Sequence, residues 1–176
     1  MRFLERMDAI ELEVCSAFNR CNRQRLLSRT FGTVSRLGDG VFWYVLMVLL
    51  PFIYGWPGGV AAIHMAIVGL ISLPLYKALK ASTTRCRPCN RSDTLTRSVA
   101  PLDEFSFPSG HTMHAVGFTV VLLHYFPVWA WLVVPFALMV AASRLVLGLH
   151  YPSDVVVGAG IGFSVAYLSL IALGAW

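Results

Sequence analysis

VWAWLVVPFALMVAASRLVLGL, residues Val128–Leu149, is the stretch that decides the fold. It holds a single charge, Arg144, in 22 residues, and apolar runs of about 18 residues or more read as transmembrane helices. Four more apolar segments join it: Val41–Trp56, Val60–Leu79, Thr112–Phe126 and Val155–Trp176. Two of the five are shorter than the ~20 residues that cross a bilayer comfortably, which implies tilt or local thinning. Gly55, Pro57, Gly58 and Gly59 mark one turn, and Phe126-Pro127 marks another. Trp43, Trp56, Trp129, Trp131 and Trp176 fall mostly near segment ends, as an interfacial aromatic belt does. The expected fold is an all-α membrane protein with about five transmembrane helices plus an N-terminal amphipathic helix. Residues 1–176 then form one integral-membrane domain.

Composition points the same way. The 176 residues are 57% hydrophobic and only 13% charged, where soluble domains carry about 25% charged residues. Mean hydropathy is +0.67. Fourteen Lys/Arg and nine Asp/Glu cannot cover a water-soluble fold of this size. Disorder, collagen, a disulfide-rich secreted module and a soluble nucleic-acid binder are excluded. The net charge of +5 forms no basic stripe interleaved with aromatics away from the membrane flanks, so no nucleic-acid partner is expected.

The N-terminus does not read as a signal peptide, because Arg2, Glu5, Arg6, Asp8, Glu11 and Glu13 interrupt any apolar core. Instead Phe3, Met7, Ile10, Val14, Ala17 and Cys21 recur every three to four residues, the spacing of one helical face. Acids precede Arg20, Arg23, Arg25 and Arg29, which suits the helix dipole. Residues 2–21 are expected to form an amphipathic helix at the membrane interface within an amphipathic region 1–36. The same stripe could equally pack on the bundle. Tracing the spans from this end brings the loop 80–111 and the segment around His150 to the N-terminal side.

Three polar clusters land there. The first is Lys80-Ala-Ser-Thr-Thr-Arg85-Cys86-Arg87-Pro88, the second Pro108-Ser109-Gly110-His111, and the third Ser143-Arg144 followed by His150 and Asp154. Lys80, Arg87 and Arg144 are cations at the edge of an apolar medium, where an unpaired charge is expensive. Three on one face call for an anion, and phosphate suits the planar fork of Arg and the point charge of Lys. Pro108-Ser109-Gly110 reads as a helix start with free N–H groups directed at that anion, and Gly110 permits close backbone approach. Asp154, just beyond His150, can accept from one imidazole nitrogen and leave the other basic. Two histidines, three cations and a carboxylate make a kit for in-line phosphoryl transfer. One imidazole attacks phosphorus and the other protonates the leaving oxygen.

The chain resembles the type 2 phosphatidic acid phosphatase superfamily. Its signature K-x6-R-P, P-S-G-H and S-R-x5-H-x3-D is matched by Lys80, Arg87, Pro88; Pro108, Ser109, Gly110, His111; and Ser143, Arg144, His150, Asp154. The resemblance covers the bundle from about residue 40 onward. It implies His150 as the nucleophile forming a phosphohistidine, Asp154 as its orienting carboxylate, and His111 as acid and then base. It implies phosphate binding by Lys80, Arg87, Ser109, Gly110 and Arg144, with no metal and no cofactor. The activity implied is hydrolysis of a lipid phosphomonoester or diphosphate. Phosphatidic acid, phosphatidylglycerophosphate, polyprenyl phosphates or diphosphates and lipid A phosphates all present the same group. Many bacterial relatives carry six spans, the first of which is replaced here by the N-terminal helix.

A lipid phosphotransferase would use the same phosphohistidine with another acceptor, and a non-enzymatic lipid-binding protein would leave the two histidines and Asp154 without purpose. His111 and His114 lack a third metal ligand at suitable spacing. His64 reads as a helix–helix hydrogen bonder, His114 as a packed or supporting donor, and His124 as incidental. Cys86 and Cys89 form a C-x2-C whose zinc site would need two more ligands, so free thiols or an incidental disulfide are expected. Asp103 and Glu104 read as solvated loop acids. The positive-inside rule puts the side that carries all fourteen Lys/Arg in the cytoplasm, whereas many bacterial relatives open their site to the periplasm. The membrane expected is a bacterial inner membrane.

Overall fold

The computed structural model describes residues 2–92, 95–96, 99 and 104–174, with side chains from residue 9 onward. Phe3, Met7, Asp103 and Trp176, named above, therefore lie outside the described side chains. The described residues form α1 (Arg2–Asn19), α2 (Arg25–Arg36), α3 (Phe42–Tyr54), α4 (Trp56–Thr83), the single turn α5 (Pro88–Arg91), α6 (Gly110–Tyr125), α7 (Ala130–Val146) and α8 (Pro152–Ala172). The expected all-α membrane architecture is what is found.

Four helical segments are long and apolar enough to cross a bilayer: Arg25–Tyr54, Trp56–Arg91, Pro127–Val146 and Pro152–Ala172. The fifth expected span, α6, has only 16 residues, about 24 Å at 1.5 Å per residue against a hydrocarbon core of ~30 Å. It is nevertheless the central helix, packed against α4, α7 and α8. Its start lies level with Tyr76, whose ring stands 3.3 Å from where a Gly110 side chain would begin. That is seven residues, about 10 Å, short of the end of α4 at Thr83. The N-terminus of α6 is thus sunk below the rim of the bundle.

The core is filled from all sides of α6. Trp43, Leu46 and Leu50 of α3, Met65 and Val68 of α4, Phe118, Val121 and Leu122 of α6, and Val133, Phe136 and Val140 of α7 form one buried cluster. Trp43 stacks edge-on or tilted against Phe42, Phe118 and Phe136, with ring centroids 5.0, 5.4 and 5.6 Å away. Outward residues such as Phe52, Leu70, Trp131 and Val156 are exposed and apolar, as a lipid-facing surface requires. At the far end His64 of α4 bonds the Tyr125 hydroxyl of α6 at 3.1 Å and Ser169 of α8 at 2.8 Å, tying three helices together as expected of a buried polar side chain.

One expectation at the N-terminal side needs correction, at Lys80, and another gains a definite form. Residues 25–36, the tail of the amphipathic region, form α2 and pack along α7. A widened turn at Leu37–Val41 then joins α2 to α3, broken at Gly40 with φ of +132°, a conformation open to glycine and strained for other residues. Lys80 and the three residues after it, placed in the loop 80–111, continue α4.

The buried face of α1 also differs from the apolar stripe. Glu11, Cys15 and Asn19, four residues apart, face the protein and are buried, while Ile10 and Phe18 are exposed. The polar face grips the protein and the apolar one is left outward, the arrangement of an interfacial helix.

Helices α6 and α8 approach closely and share the most extensive helix–helix interface among the described residues. Gly158 and Gly162 face α6, and a Cβ on Gly158 would stand 2.6 Å from the Ser109 carbonyl oxygen. A Cβ on Gly162 would run into the Met113 carbonyl. Small residues four apart let helix backbones meet. Gly162→Ala is expected to lower stability by about 1–3 kcal/mol, the usual cost of overpacking. Gly160→Ala, with nothing within 4 Å, should be neutral or slightly stabilising. Thermal melting in detergent of the two variants checks the contrast.

Candidate active site

The glycine seam fixes the second and third clusters relative to each other. Ser109 caps the start of α6, and its backbone N–H donates to the Asp154 carbonyl at 3.0 Å. Pro152 opens α8, where a proline needs no partner for its missing N–H. Asp154 in the same first turn accepts the Tyr151 N–H at 2.8 Å, reaching back from the third helical position. One carboxylate therefore both starts α8 and stands behind His150.

Lys80, Arg87, Gly110, His111, Arg144 and His150 line a single cavity of about 420 Å³. The cations are anchored before any ligand arrives. Lys80 donates to the Phe105 carbonyl at 3.2 Å and Arg87 to the Leu149 carbonyl at 2.6 Å. Arg144 donates to the Ser35 hydroxyl of α2. Arg87 Nη1 also lies 3.3 Å from His150 Nε2, which places that ring nitrogen beside a cation and against the cavity.

His150 is almost wholly buried. Burial, and the positive charges of Arg144, Arg87 and Lys80, push its pKa well below the ordinary 6.5, so the imidazole is neutral at pH 7. Its Nδ1 stands 3.6 Å from Asp154 Oδ2, too long for a hydrogen bond. The carboxylate is instead held by the Tyr151 N–H and by Arg85, whose Nη1 donates to Oδ1 at 2.7 Å. Ser109 is fully buried and its hydroxyl pairs with that of Thr112 at 2.9 Å. The structure thus brings six of the eight expected residues to the cavity wall and puts Asp154 and Ser109 directly behind it.

Asp39 was not expected. It sits between Gly38 and Gly40 in the widened turn, lines the cavity, and its Oδ1 meets His111 Nε2. Only a Gly-Asp-Gly at the membrane edge could have flagged it. The parts played by Ser35, Glu11 and Arg85 also escaped sequence reading, since Ser35 and Glu11 lie outside the three motifs and Arg85 fills a variable position of the first.

From its charged end the cavity continues into an apolar groove between α3 and α4. Trp43, Tyr44 and Met47 form one wall, and Ala66, Gly69, Leu70 and Leu73 the other. Lys80 to Ala66 spans 14 residues of α4, roughly 21 Å along the axis. Tyr44 and Leu70 are largely exposed on the outer surface, so the groove lies at the lipid side of the bundle.

His114 also lines the cavity, where it donates from Nδ1 to the Gly110 carbonyl at 2.8 Å and packs between Tyr76 and Phe118. Among the described residues no group of three His, Cys, Asp or Glu is placed to hold a metal ion. All four cysteines are free thiols, with Cys86 exposed and Cys15 buried.

The chain is similar to several known proteins. The Bacitracin transport permease protein BcrC of Bacillus licheniformis is 48% identical over 102 residues, 57% of this chain and 49% of that protein. An Undecaprenyl-diphosphatase of Sulfolobus acidocaldarius is 32% identical over 110 residues, 61% of this chain and 53% of that protein. A Lipid A 1-phosphatase of Rhizobium johnstonii is 30% identical over 120 residues, 66% of this chain and 46% of that protein. The chain spans about half the length of each of these relatives. The crystal structure of a transmembrane PAP2 type phosphatidylglycerolphosphate phosphatase from Bacillus subtilis superposes with a TM-score of 0.76 at 26% identity, covering 96% of this chain and 86% of that one. That of Aquifex aeolicus LpxE gives 0.75 at 27% identity, covering 91% and 94%. Residues 58–175 match the PAP2 superfamily, and with the three motifs in place around one cavity the chain belongs to that superfamily.

Proposed function

We propose that the chain is a membrane lipid phosphatase that hydrolyses the phosphomonoester or diphosphate of a lipid through a phosphohistidine on His150. One observation carries this reading. A single cavity joins a cationic end to an apolar groove on the lipid side, so one ligand with a phosphate head and a long tail suits both. The names of the relatives, an undecaprenyl-diphosphatase, a lipid A 1-phosphatase and a phosphatidylglycerolphosphate phosphatase, support the substrate class.

In the first step the lone pair of His150 Nε2 attacks phosphorus, and the bond to the leaving oxygen breaks. Lys80, Arg87 and Arg144 balance charge on the equatorial oxygens, as donors fixed in advance do best. The N–H of Gly110 at the start of α6 adds a dipolar donor. Ser109 acts through its place at that helix start, its hydroxyl being taken by Thr112. His111 gives its proton to the departing oxygen, then takes one from the water that attacks phosphohistidine, and inorganic phosphate leaves. Asp39 Oδ1 meets His111 Nε2 and orients the ring that exchanges the proton. Residues 1–176 act as one phosphatase unit.

We place the protein in a bacterial inner membrane with its site on the side of α1. Eleven Lys/Arg beyond the three phosphate-binding cations occupy that side, which favours the cytoplasmic face.

Phosphate release from a panel of lipid phosphates in detergent micelles tests the activity. Release from one lipid class, abolished by His150→Ala and Arg144→Ala, is the expected result. His111→Ala should retain more activity on an aryl phosphate, whose leaving group needs no proton, than on a lipid. Equal losses in all three variants on both substrates would remove these role assignments. Release that needs an added lipid alcohol would point to phosphotransfer.

The acid limb of kcat/KM should fall below pH 6.5, because His150 is held neutral. The same depressed pKa means this group's contribution to stability is complete above about pH 6.5 and is lost as pH falls further. A membrane-impermeant maleimide on intact cells should leave the exposed Cys86 unlabelled, and ready labelling would place the site on the outer face.

A further inference from the structure

The region that matches the superfamily begins at residue 58, so α1 lies outside it. Yet the buried face of α1 touches the backbone that carries the third motif. Glu11 accepts the Ser153 N–H at 2.9 Å and pairs with Arg85. Arg85 in turn donates to Asp154 at 2.7 Å and to the Ser153 hydroxyl at 2.7 Å, with its guanidinium 4.1 Å above the Tyr151 ring. Cys15 Sγ lies 3.6 Å from the His150 carbonyl oxygen. One turn further, Asn19 and, just beyond the helix, Asn22 donate to the Val146 carbonyl at 2.9 and 3.0 Å. Each bond ends on the segment Val146–Asp154 or on the residue that holds it.

The charges explain why such a device is needed. Asp154 is wholly buried and its carboxylate is not hydrogen-bonded to His150. A buried carboxylate demands a counter-charge, and Arg85 supplies it. Arg85 alone could swing elsewhere, but Glu11 holds its second amino group, so the fork is fixed at both prongs.

We propose that α1 is a working part of the active site, and that Glu11 and Arg85 are positioning residues which hold Asp154, and through it His150, for attack. The proposal rests on the phosphatase reading for its kinetic consequences. It adds two residues that the motifs do not specify, Glu11 and Arg85, to the machinery, and it makes the N-terminal helix a clamp on the catalytic segment. The helix lies with Ile10 and Phe18 outward, so the clamp is closed from the membrane surface.

The test compares Glu11→Gln, Arg85→Gln, Arg85→Lys and the double Glu11→Gln/Arg85→Gln, by kinetics and by thiol labelling. Glu11→Gln keeps the shape and an accepting oxygen, so it remains informative if Arg85→Gln fails to fold. Cys15 is the reporter, since its thiol is buried and pushed up to about 12 and should resist N-ethylmaleimide in the wild type. The expected result is at least a tenfold loss of kcat with KM within twofold in Glu11→Gln and Arg85→Gln. The double variant should be no worse than the weaker single, and Arg85→Lys should recover part of the loss. Cys15 should become labelled in Glu11→Gln and Arg85→Gln, read by peptide mass.

In Arg85→Gln the acid limb of kcat/KM should move to higher pH, because the uncompensated Asp154 charge favours His150 imidazolium. A merely structural loosening would leave that limb in place. Cys15 still protected in Glu11→Gln and Arg85→Gln, or Cys15 labelled with kcat unchanged, overturns the proposal. If the wild type releases no phosphate from any lipid, the phosphatase reading falls. The labelling of Cys15 then still decides whether Glu11 and Arg85 seat α1 on the segment.

Discussion

Two glycines decide how near α8 comes to α6, and the chemistry follows from that distance. With no side chain at Gly158 or Gly162, the α8 backbone lies against the carbonyls of Ser109 and Met113. This seats the first turn of α8 beside the first turn of α6, where the Ser109 N–H reaches the Asp154 carbonyl. His111 projects from one of those turns, and His150 immediately precedes the other. A methyl group in the seam would part the two histidines, and no polar contact in the site could draw them back, because packing in the bundle is set backbone to backbone.

The second constraint is charge. Lys80, Arg87 and Arg144 are all buried within one cavity, and their mutual repulsion must be met without substrate. Each donates to a fixed oxygen of the fold, the Phe105 and Leu149 carbonyls and the Ser35 hydroxyl. Asp39, Glu11 and Asp154 add negative charge around the rim and behind the wall. The binding site is therefore ordered in advance, and a phosphate displaces little protein structure when it arrives. That is the condition under which electrostatic stabilisation costs least at the moment of reaction.

Much of this was legible in the residues. Five apolar segments became five packed helices, although α6 is shorter than a usual span, and Ser109-Gly110 and Pro152 opened helices where their chemistry predicted. Six of eight motif residues reached one cavity because spacing along a helix fixes its face and end. What could not be read belongs to contacts between distant segments. Asp39 and His111 are 72 residues apart, and Glu11 and Arg85 are 74 apart, each a single charged residue among others. Helix α2 was legible only as part of an amphipathic region, because periodicity does not show that the face of Val34 and Ser35 meets α7. The stripe of α1 was seen, but which face meets protein depends on partners that periodicity does not name. Gly158-x-x-x-Gly162 is visible as a small-residue pair, but the sequence does not show which helix it meets.

The cavity has two dissimilar ends, and that difference bears on how turnover finishes. A lipid that enters between α3 and α4 is held at its head by charge and along its tail by apolar contact alone. If the phosphatase reading holds, transfer of the phosphoryl group weakens the grip of the cations on the lipid, and the open side of the groove lets it slide sideways into the bilayer. The phosphate stays with the cations until it leaves toward water. On that reading the two products part by different routes, one in the plane of the membrane and one across its surface, so neither has to wait for the other's path to clear.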